Sequence, residues 1–191
     1  TNTTNGGITM TKILWLDAGH GGKDAGAVNG SLHEKNVVLD IVKRMKAHIE
    51  SNYDGVKVML TRSTDVFHEL SARSNLANKA KADLFVSVHV NAGGGTGYED
   101  YINSPLAATS NTAKMRDTLH AEVVKVLTKH GIRNRGKKKA NFAVLAKTTM
   151  PAILVETLFI DTAADKALIQ NSTFIQEISV VCYHNNRSRI V

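Results

Sequence analysis

The sequence predicts a three-layer α/β domain, in which helices cover both faces of a central sheet. Short apolar runs alternate along the chain with segments whose apolar residues recur at the helical period, as expected when strands and helices alternate. The chain has 191 residues, of which 42% are hydrophobic. That size and composition fit a single domain with one substantial core.

The predicted elements follow in chain order. The first strand ends in a polar, glycine-rich loop that continues to Glu34, where the first helix is expected to begin. Ser104 and Pro105 form a helix-start pair, an N-cap followed by proline at the first helical position. The segment 133–139 is predicted to be a basic loop. Strands are predicted at 13–16, 56–61, 83–89, 98–102, 142–146 and 152–156, and helices at 34–51, 69–81 and 105–130 and in the tail, where Asp161 and Ser172 are the expected caps.

Composition limits the classes of protein to be considered. The net charge of +7 favours polyanionic surroundings, such as nucleic acid, anionic lipid or anionic wall polymer, without choosing among them. The one cysteine, Cys182, excludes an internal disulfide and a thiolate zinc cluster, and it is expected to be a buried thiol. No apolar run approaches the roughly 18 residues of a membrane span.

We expect a disordered or foreign tail at 1–9, a domain at 10–184 and a polar tail that begins a linker at 185–191.

Four side chains are expected to meet at one edge of the sheet. His20 and His89 each follow an apolar strand and precede glycines, and Glu156 ends a third apolar strand. Glu34 lies where the first helix begins. Because open α/β sheets place their sites at the carboxyl ends of the strands, these groups can converge there. Histidine and carboxylate are ligands that suit zinc, and a carboxylate that leaves an apolar strand needs a partner or a function.

Each of these residues also has a purely structural interpretation. His20 could be a histidine that only shapes its loop. Glu34 could be a carboxylate favoured by the helix dipole, with neighbouring His33 as a rival ligand. Glu156 could form a structural salt bridge. The remaining histidines are expected at solvated or capping positions: His33, His48, His68, His120, His130 and His184.

Several segments together resemble the zinc-dependent N-acetylmuramoyl-L-alanine amidases of the type-3 family, found among phage endolysins and bacterial autolysins. They occur in the family's order and extend over nearly the whole chain. Thr157 departs from the pattern, because it stands where the family usually has glycine. The matching segments are 16–24 (LDAGHGGKD), 33–35 (HEK), 60–65 (LTRSTD), Arg73 with 77–78 (AN), 85–92 (FVSVHVNA) and 150–156 (MPAILVE).

The resemblance implies a fold, a cofactor and a reaction. It implies a mixed six-stranded sheet, one Zn²⁺ held by His20, Glu34 and His89, and Glu156 as the catalytic carboxylate. The implied reaction is hydrolysis, by a zinc-activated water, of the amide between N-acetylmuramic acid and the L-alanine of the peptidoglycan stem peptide. Two alternatives remain open: a zinc peptidase acting on wall peptides, and a non-catalytic wall-binding module.

The partner and location follow from the same interpretation. Peptidoglycan is the expected substrate, and neither nucleic-acid binding nor membrane insertion is expected of what should be a monomer. Because no signal peptide is visible and Met10 resembles a native start, we expect synthesis in the cytoplasm and action on the wall after lysis. Anionic wall polymer is expected to bind the cations of the basic segment: Arg133, Arg135, Lys137, Lys138 and Lys139.

Overall fold

A computed structural model describes residues 11–181 of the chain. The predicted tails at 1–9 and 185–191 and the predicted burial of Cys182 lie outside those residues. Within them, no helix is long and apolar enough to cross a membrane. The strands are β1 (Lys12–Ala18), β2 (Val28–Asn29), β3 (Leu32–His33), β4 (Val56–Leu60), β5 (Leu84–Asn91), β6 (Tyr98–Asn103), β7 (Asn134–Ala140) and β8 (Ala152–Phe159), and the helices are α1 (Glu34–Asn52), α2 (Leu70–Lys79), α3 (Asn111–Lys129), α4 (Ala143–Ala146), α5 (Ala163–Ile169) and α6 (Ser172–Val181).

Six of the strands form one mixed sheet in the order β4-β1-β5-β8-β6-β7. β4, β1, β5 and β8 are mutually parallel, β6 runs antiparallel to β8, and β7 is parallel to β6. The carboxyl ends of β1, β5 and β8 therefore lie side by side at one edge of the sheet. The prediction of a mixed six-stranded sheet is confirmed.

Helices cover both faces of the sheet, so the three-layer prediction is confirmed. Strand residues alternate between the two faces. Along β5, Val86 and Val88 pack into a large core with α1, α3 and α6, whereas Phe85 packs on the opposite face with α2 and α4. The strands are therefore buried on both sides, which explains their near-continuous apolar sequence.

Two neighbouring segments differ from the prediction. The basic segment is not a loop but the edge strand β7, which pairs with β6 from Tyr98↔Asn134 to Asn103↔Ala140. The apolar run predicted as a strand at 142–146 is instead the short helix α4. A short apolar run does not distinguish a strand from a buried helical turn. The free edge of β6 takes the basic segment as its partner.

The predicted helix caps were wrong. Pro105 lies in a turn, and α3 begins at Asn111, where Ser110 Oγ accepts a hydrogen bond of 3.2 Å from the Ala113 amide. Asp161 accepts hydrogen bonds from the amides of a glycine loop rather than from a helix. At α6 the capping oxygen belongs to Asn171 instead of Ser172.

His120 was predicted at a solvated or capping position, but it is buried between α3 and the sheet. Its Nδ1 lies 2.5 Å from Asp100 Oδ2, and Asp100 is itself inaccessible to solvent. Asp100 lies on the adjacent strand β6, so this partner is distant in sequence. Burial raises the pKa of Asp100, while the neighbouring His120 opposes that shift.

Candidate active site

His20, Glu34 and His89 meet at the carboxyl edge of the sheet. Each offers one ligand atom, and these three atoms lie within 4.8 Å of one another. Glu34 Oε1 is 3.1 Å from both His20 Nε2 and His89 Nδ1. His33, the rival ligand, does not belong to this cluster. It is the last residue of β3 and directly precedes the first residue of α1. The cluster therefore has the composition His₂Glu.

His20 is turned back toward the sheet by a tight turn at the end of β1. Its φ angle of 59° lies in the left-handed region. Gly21 and Asp24 close the turn through two backbone hydrogen bonds of 2.8 and 3.1 Å. The turn brings Asp24 Oδ2 to 2.9 Å from His20 Nδ1. Nδ1 is thereby engaged, and Nε2 is directed at Glu34. A carboxylate in this position fixes the orientation and tautomer of a ligand histidine.

Glu34 is the buried centre of the cluster, with 3% of its surface exposed. Its Oε1 accepts a hydrogen bond from the Val90 amide and its Oε2 one from the Ala27 amide, each of 2.9 Å. Burial raises the pKa of Glu34, but the hydrogen bonds and charges of His20 and His89 outweigh burial and hold it well below its usual range. Glu34 is therefore a carboxylate at neutral pH.

Two glycines leave room for the side chains of the cluster. A Cβ atom at Gly19 would lie 2.7 Å from His89 Nδ1. A Cβ atom at Gly26 would lie 2.6 Å from Glu34 Oε2, and its φ angle of 66° already favours glycine. At both positions the backbone therefore approaches the donor atoms of His89 and Glu34 so closely that only glycine fits.

Glu156 lies beside the cluster on β8, where it pairs across the strands with His89. None of the described residues donates a hydrogen bond to its Oε2 or forms an ion pair with its carboxylate, so the structural salt bridge considered from the sequence is absent among them. Burial raises the pKa of Glu156 to about 7; the charge of His89 opposes this shift, and the nearby carboxylates of Glu34 and Glu99 add to it. The side chain can therefore accept or release a proton near neutral pH.

Glu99, which the sequence analysis did not single out, pairs with Glu156 across β6 and β8. It is buried and accepts hydrogen bonds from Tyr101 Oη (2.9 Å), Arg135 Nε (2.7 Å) and Lys138 Nζ. Burial raises the pKa of Glu99, but these donors outweigh it and lower the value to about 2. Two adjacent glutamates thus have opposite electrostatic environments.

The basic segment is therefore only partly available to an external anion. Arg135 and Lys138 bind Glu99, and Lys137 Nζ lies 3.1 Å from Asp117. Lys139 donates to the carbonyl of Leu106. Two consecutive acidic residues between tyrosines, at 98–101, are the signal that could have indicated an internal partner for these cations.

A cleft of about 580 Å³ opens above the cluster. His20, Glu34, His89 and Glu156 line its floor. Its walls come from two other segments: Phe67 and Leu70 at the start of α2, and Phe142 with residues of α4. The side chain of Leu70 is 58% exposed and that of Phe142 39% exposed. The size and apolar walls are typical of a small-molecule or peptide site.

A comparison with models of protein families shows which family this chain belongs to. Residues 14–183 match the family model described as N-acetylmuramoyl-L-alanine amidase. The chain belongs to this amidase family. The resemblance inferred from the sequence motifs is thereby confirmed.

Individual amidase relatives agree with this assignment. The chain is 48% identical over 171 residues to an endolysin of Bacillus phage SPP1, covering 89% of the chain and 63% of the relative. It is 42% identical over 170 residues to a sporulation-specific N-acetylmuramoyl-L-alanine amidase of Bacillus subtilis (strain 168), covering 89% and 64%. The chain thus spans just under two thirds of these relatives.

Solved amidase structures share the fold. The catalytic domain of CwlV, an N-acetylmuramoyl-L-alanine amidase from Bacillus (Paenibacillus) polymyxa var. colistinus, superposes with a TM-score of 0.81 at 31% identity, covering 90% of this chain and 94% of that one. An amidase from Clostridium difficile 630 gives a TM-score of 0.81 at 28% identity, covering 88% and 91%. The described fold is therefore that of the amidase catalytic domains.

Proposed function

We propose that this chain is a zinc-dependent N-acetylmuramoyl-L-alanine amidase, which hydrolyses the amide between the lactyl group of N-acetylmuramic acid and the L-alanine of the peptidoglycan stem peptide. One observation carries the proposal: a His₂Glu cluster and a buried glutamate without a donor to one of its oxygens share the floor of one cleft. Family membership supports the choice of substrate.

The residues at the cluster fit a zinc ion. Two imidazole nitrogens and one carboxylate oxygen form a donor set of the kind found in catalytic zinc sites, which keep a position for water or substrate. Asp24 orients His20, and the glycines at 19 and 26 leave no space for any larger residue. Zinc held by His20, Glu34 and His89 would act as a Lewis acid and lower the pKa of a bound water to about 7.

Glu156 is proposed as the proton carrier of the reaction. Its carboxylate, whose Oε2 receives no hydrogen bond from the described residues, would accept a proton from the water that attacks the amide carbon. The same side chain then delivers that proton to the departing nitrogen of L-alanine. The exposed apolar residues Leu70 and Phe142, which both line the cleft, can contact the peptide there.

Product analysis of digested peptidoglycan tests the reaction. The amidase should release new amino groups on L-alanine alone, with intact stem peptides and muramic acid free of peptide. New amino groups on other residues of the stem peptide would indicate the alternative, a zinc peptidase. Wall binding without any new amino group would indicate the non-catalytic module.

Metal analysis separates ligand from base. Wild-type protein should contain one zinc per chain and lose activity in excess chelator. His89→Ala should lose the metal. Glu156→Ala should keep both zinc and fold but lose activity at least about 100-fold, the scale of one general base. Loss of zinc from Glu156→Ala would reassign that residue as a ligand.

The proposal also includes where the protein acts and what it binds besides its substrate. Action on the cell wall follows from the proposed substrate. Synthesis in the cytoplasm with release at lysis stays a prediction, tested by mapping the start of the native gene, and the monomeric state is tested by light scattering. Binding of anionic wall polymer is proposed chiefly for the outward cations of β7 and the residue before it: Arg133, Lys137 and Lys139.

A further inference from the structure

Two buried arginines lie directly beneath the His20 turn. Arg62 donates from Nε to the Ala18 carbonyl (3.1 Å) and from Nη2 to the Gly19 carbonyl (2.8 Å). Arg73 donates from Nη1 to the same Ala18 carbonyl (2.8 Å) and from Nη2 to the His20 carbonyl (2.6 Å). Three consecutive carbonyls therefore accept hydrogen bonds from two guanidinium groups, each attached to a residue only 2% exposed.

Arg62 also reaches the second ligand-bearing segment. Its Nη2 donates to the Lys35 carbonyl at 2.7 Å, and Lys35 directly follows Glu34 in the first turn of α1. One guanidinium group thus ties the start of α1 to the backbone next to His20. Because its donors have a fixed planar geometry, it sets the distance between the two segments.

Arg73 connects to the third segment through two side chains. Its Nη1 lies 3.0 Å from Asp17 Oδ1 on β1, in an ion pair whose side chains are almost inaccessible. Ser87 Oγ donates to the other oxygen of Asp17 at 2.7 Å. Ser87 lies two residues before His89 on β5, so both side chains point to the same face of the sheet.

We infer that Arg62 and Arg73 are positioning residues that preorganise the three-ligand cluster. Their hydrogen bonds reach the carbonyl of His20 itself, the carbonyl of the residue that follows Glu34, and, through Asp17 and Ser87, the strand that carries His89. The inference rests on the proposed zinc centre, and among the described residues neither arginine donates a hydrogen bond to a side chain of the cluster.

The arrangement has costs that a simple packing role would not require. His20 adopts a left-handed backbone conformation that a non-glycine residue rarely occupies. Burial and the positive charge of Arg73 both lower the pKa of Arg62, so the two cations destabilise each other. The turn also packs tightly onto its support, because a Cβ atom at Gly21 would lie 2.9 Å from Arg62 Nε. Charge-assisted hydrogen bonds to the strained turn offset these costs.

The test replaces each arginine by lysine, which keeps the charge but loses the planar set of donors. Arg62→Lys and Arg73→Lys should weaken zinc affinity about 10- to 100-fold, the usual effect of removing a residue that orients ligands. Affinity is measured by competition with a chromogenic chelator, and the visible spectrum of the cobalt-substituted protein should change as the ligand geometry loosens.

Arg116→Lys is the matched control. Arg116 is also buried, at 7% exposure, and bonds Asp117 and the Lys138 carbonyl on the other face of the sheet. Its variant should lose thermal stability like the test variants but bind zinc like wild type. Equal zinc affinity in all three variants would overturn the inference.

A milder variant keeps the inference testable if an arginine variant does not fold. Ser87→Ala removes one hydrogen bond to Asp17 and should fold, with zinc affinity reduced several-fold; unchanged affinity and an unchanged cobalt spectrum there would also overturn the inference. Failure of the wild-type protein to bind zinc would instead refute the proposed metal centre itself.

Discussion

Replacing Glu156 by glutamine should stabilise the zinc-free protein. The same replacement should abolish the activity of the zinc-loaded protein. The carboxylate is buried, and its pKa rises from 4.5 to about 7. Because the folded state binds this proton more tightly than the unfolded state, the contribution of Glu156 to stability is fully present below pH 4.5. It is lost as the pH rises toward 7 and above. Glutamine carries no charge, so the variant escapes that loss.

The magnitude follows from the same pair of pKa values. One pKa unit corresponds to 1.36 kcal/mol, so the raised pKa of Glu156 lowers the stability of the folded protein, relative to low pH, by about 3 kcal/mol at pH 8 and by about 1 kcal/mol at pH 5. The stability advantage of Glu156→Gln should therefore increase by about 2 kcal/mol between pH 5 and pH 8. Activity of the zinc-loaded variant should fall at least about 100-fold.

Urea unfolding of chelator-treated protein at both pH values measures this difference, from midpoints compared at equal slope. Glu69→Gln is the control, because Glu69 lines the same cleft but is exposed. Its difference from wild type should not change with pH in the same way. If Glu156→Gln is no more stabilising at pH 8 than at pH 5, the buried carboxylate does not carry the proposed electrostatic cost.

Two further predictions concern the glycine loops and the basic strand. Gly26→Ala should weaken zinc binding strongly because the new methyl group would meet Glu34. Gly30→Ala is the control and should bind zinc normally, because Gly30 has a similar positive φ but nothing within 4 Å of the added Cβ atom. Titration with a chelator compares the two variants, and equal zinc affinities would contradict the proposed steric role. Neutralising Lys137 and Lys139 together should weaken binding to purified walls at low salt and flatten its salt dependence, while turnover of a small soluble muramoyl-peptide changes less than about 2-fold. Wall binding equal to wild type would show that these lysines do not contact the wall.

The residues of the cluster could be predicted from sequence because each lies at the end of a regular element. His20 follows β1 and His89 lies near the end of β5, and parallel strands bring their carboxyl ends together. Glu99 could not be assigned a role in the same way. Its environment depends on the partner strand β7, whose sequence of glycine and lysines has neither apolar alternation nor β-branched residues.

The same physical reason explains the misplacement of His120. A histidine in an amphipathic helix reveals nothing about its partner, and Asp100 lies on a strand 20 residues earlier. Contacts between elements distant in sequence also determine the secondary structure of 142–146. This segment packs as a helical turn on β8 and α2 instead of adding a strand to the sheet. Local pattern thus predicted β1, β5 and β8 with their ends correct to within a few residues, but not which side chains pair across strands.

The origin of the cleft walls suggests how this domain could be retargeted. The floor belongs to strand ends and the start of α1, whereas the walls come from two short surface segments around Leu70 and Phe142. Neither segment supplies a donor atom to the His₂Glu cluster. The side chains of these two segments could therefore be exchanged for those of an amidase relative while the floor of the cleft is kept. Under the proposed function, the side chains that contact the peptide could then be changed without changing the His₂Glu cluster, provided that Arg73 of α2 is kept.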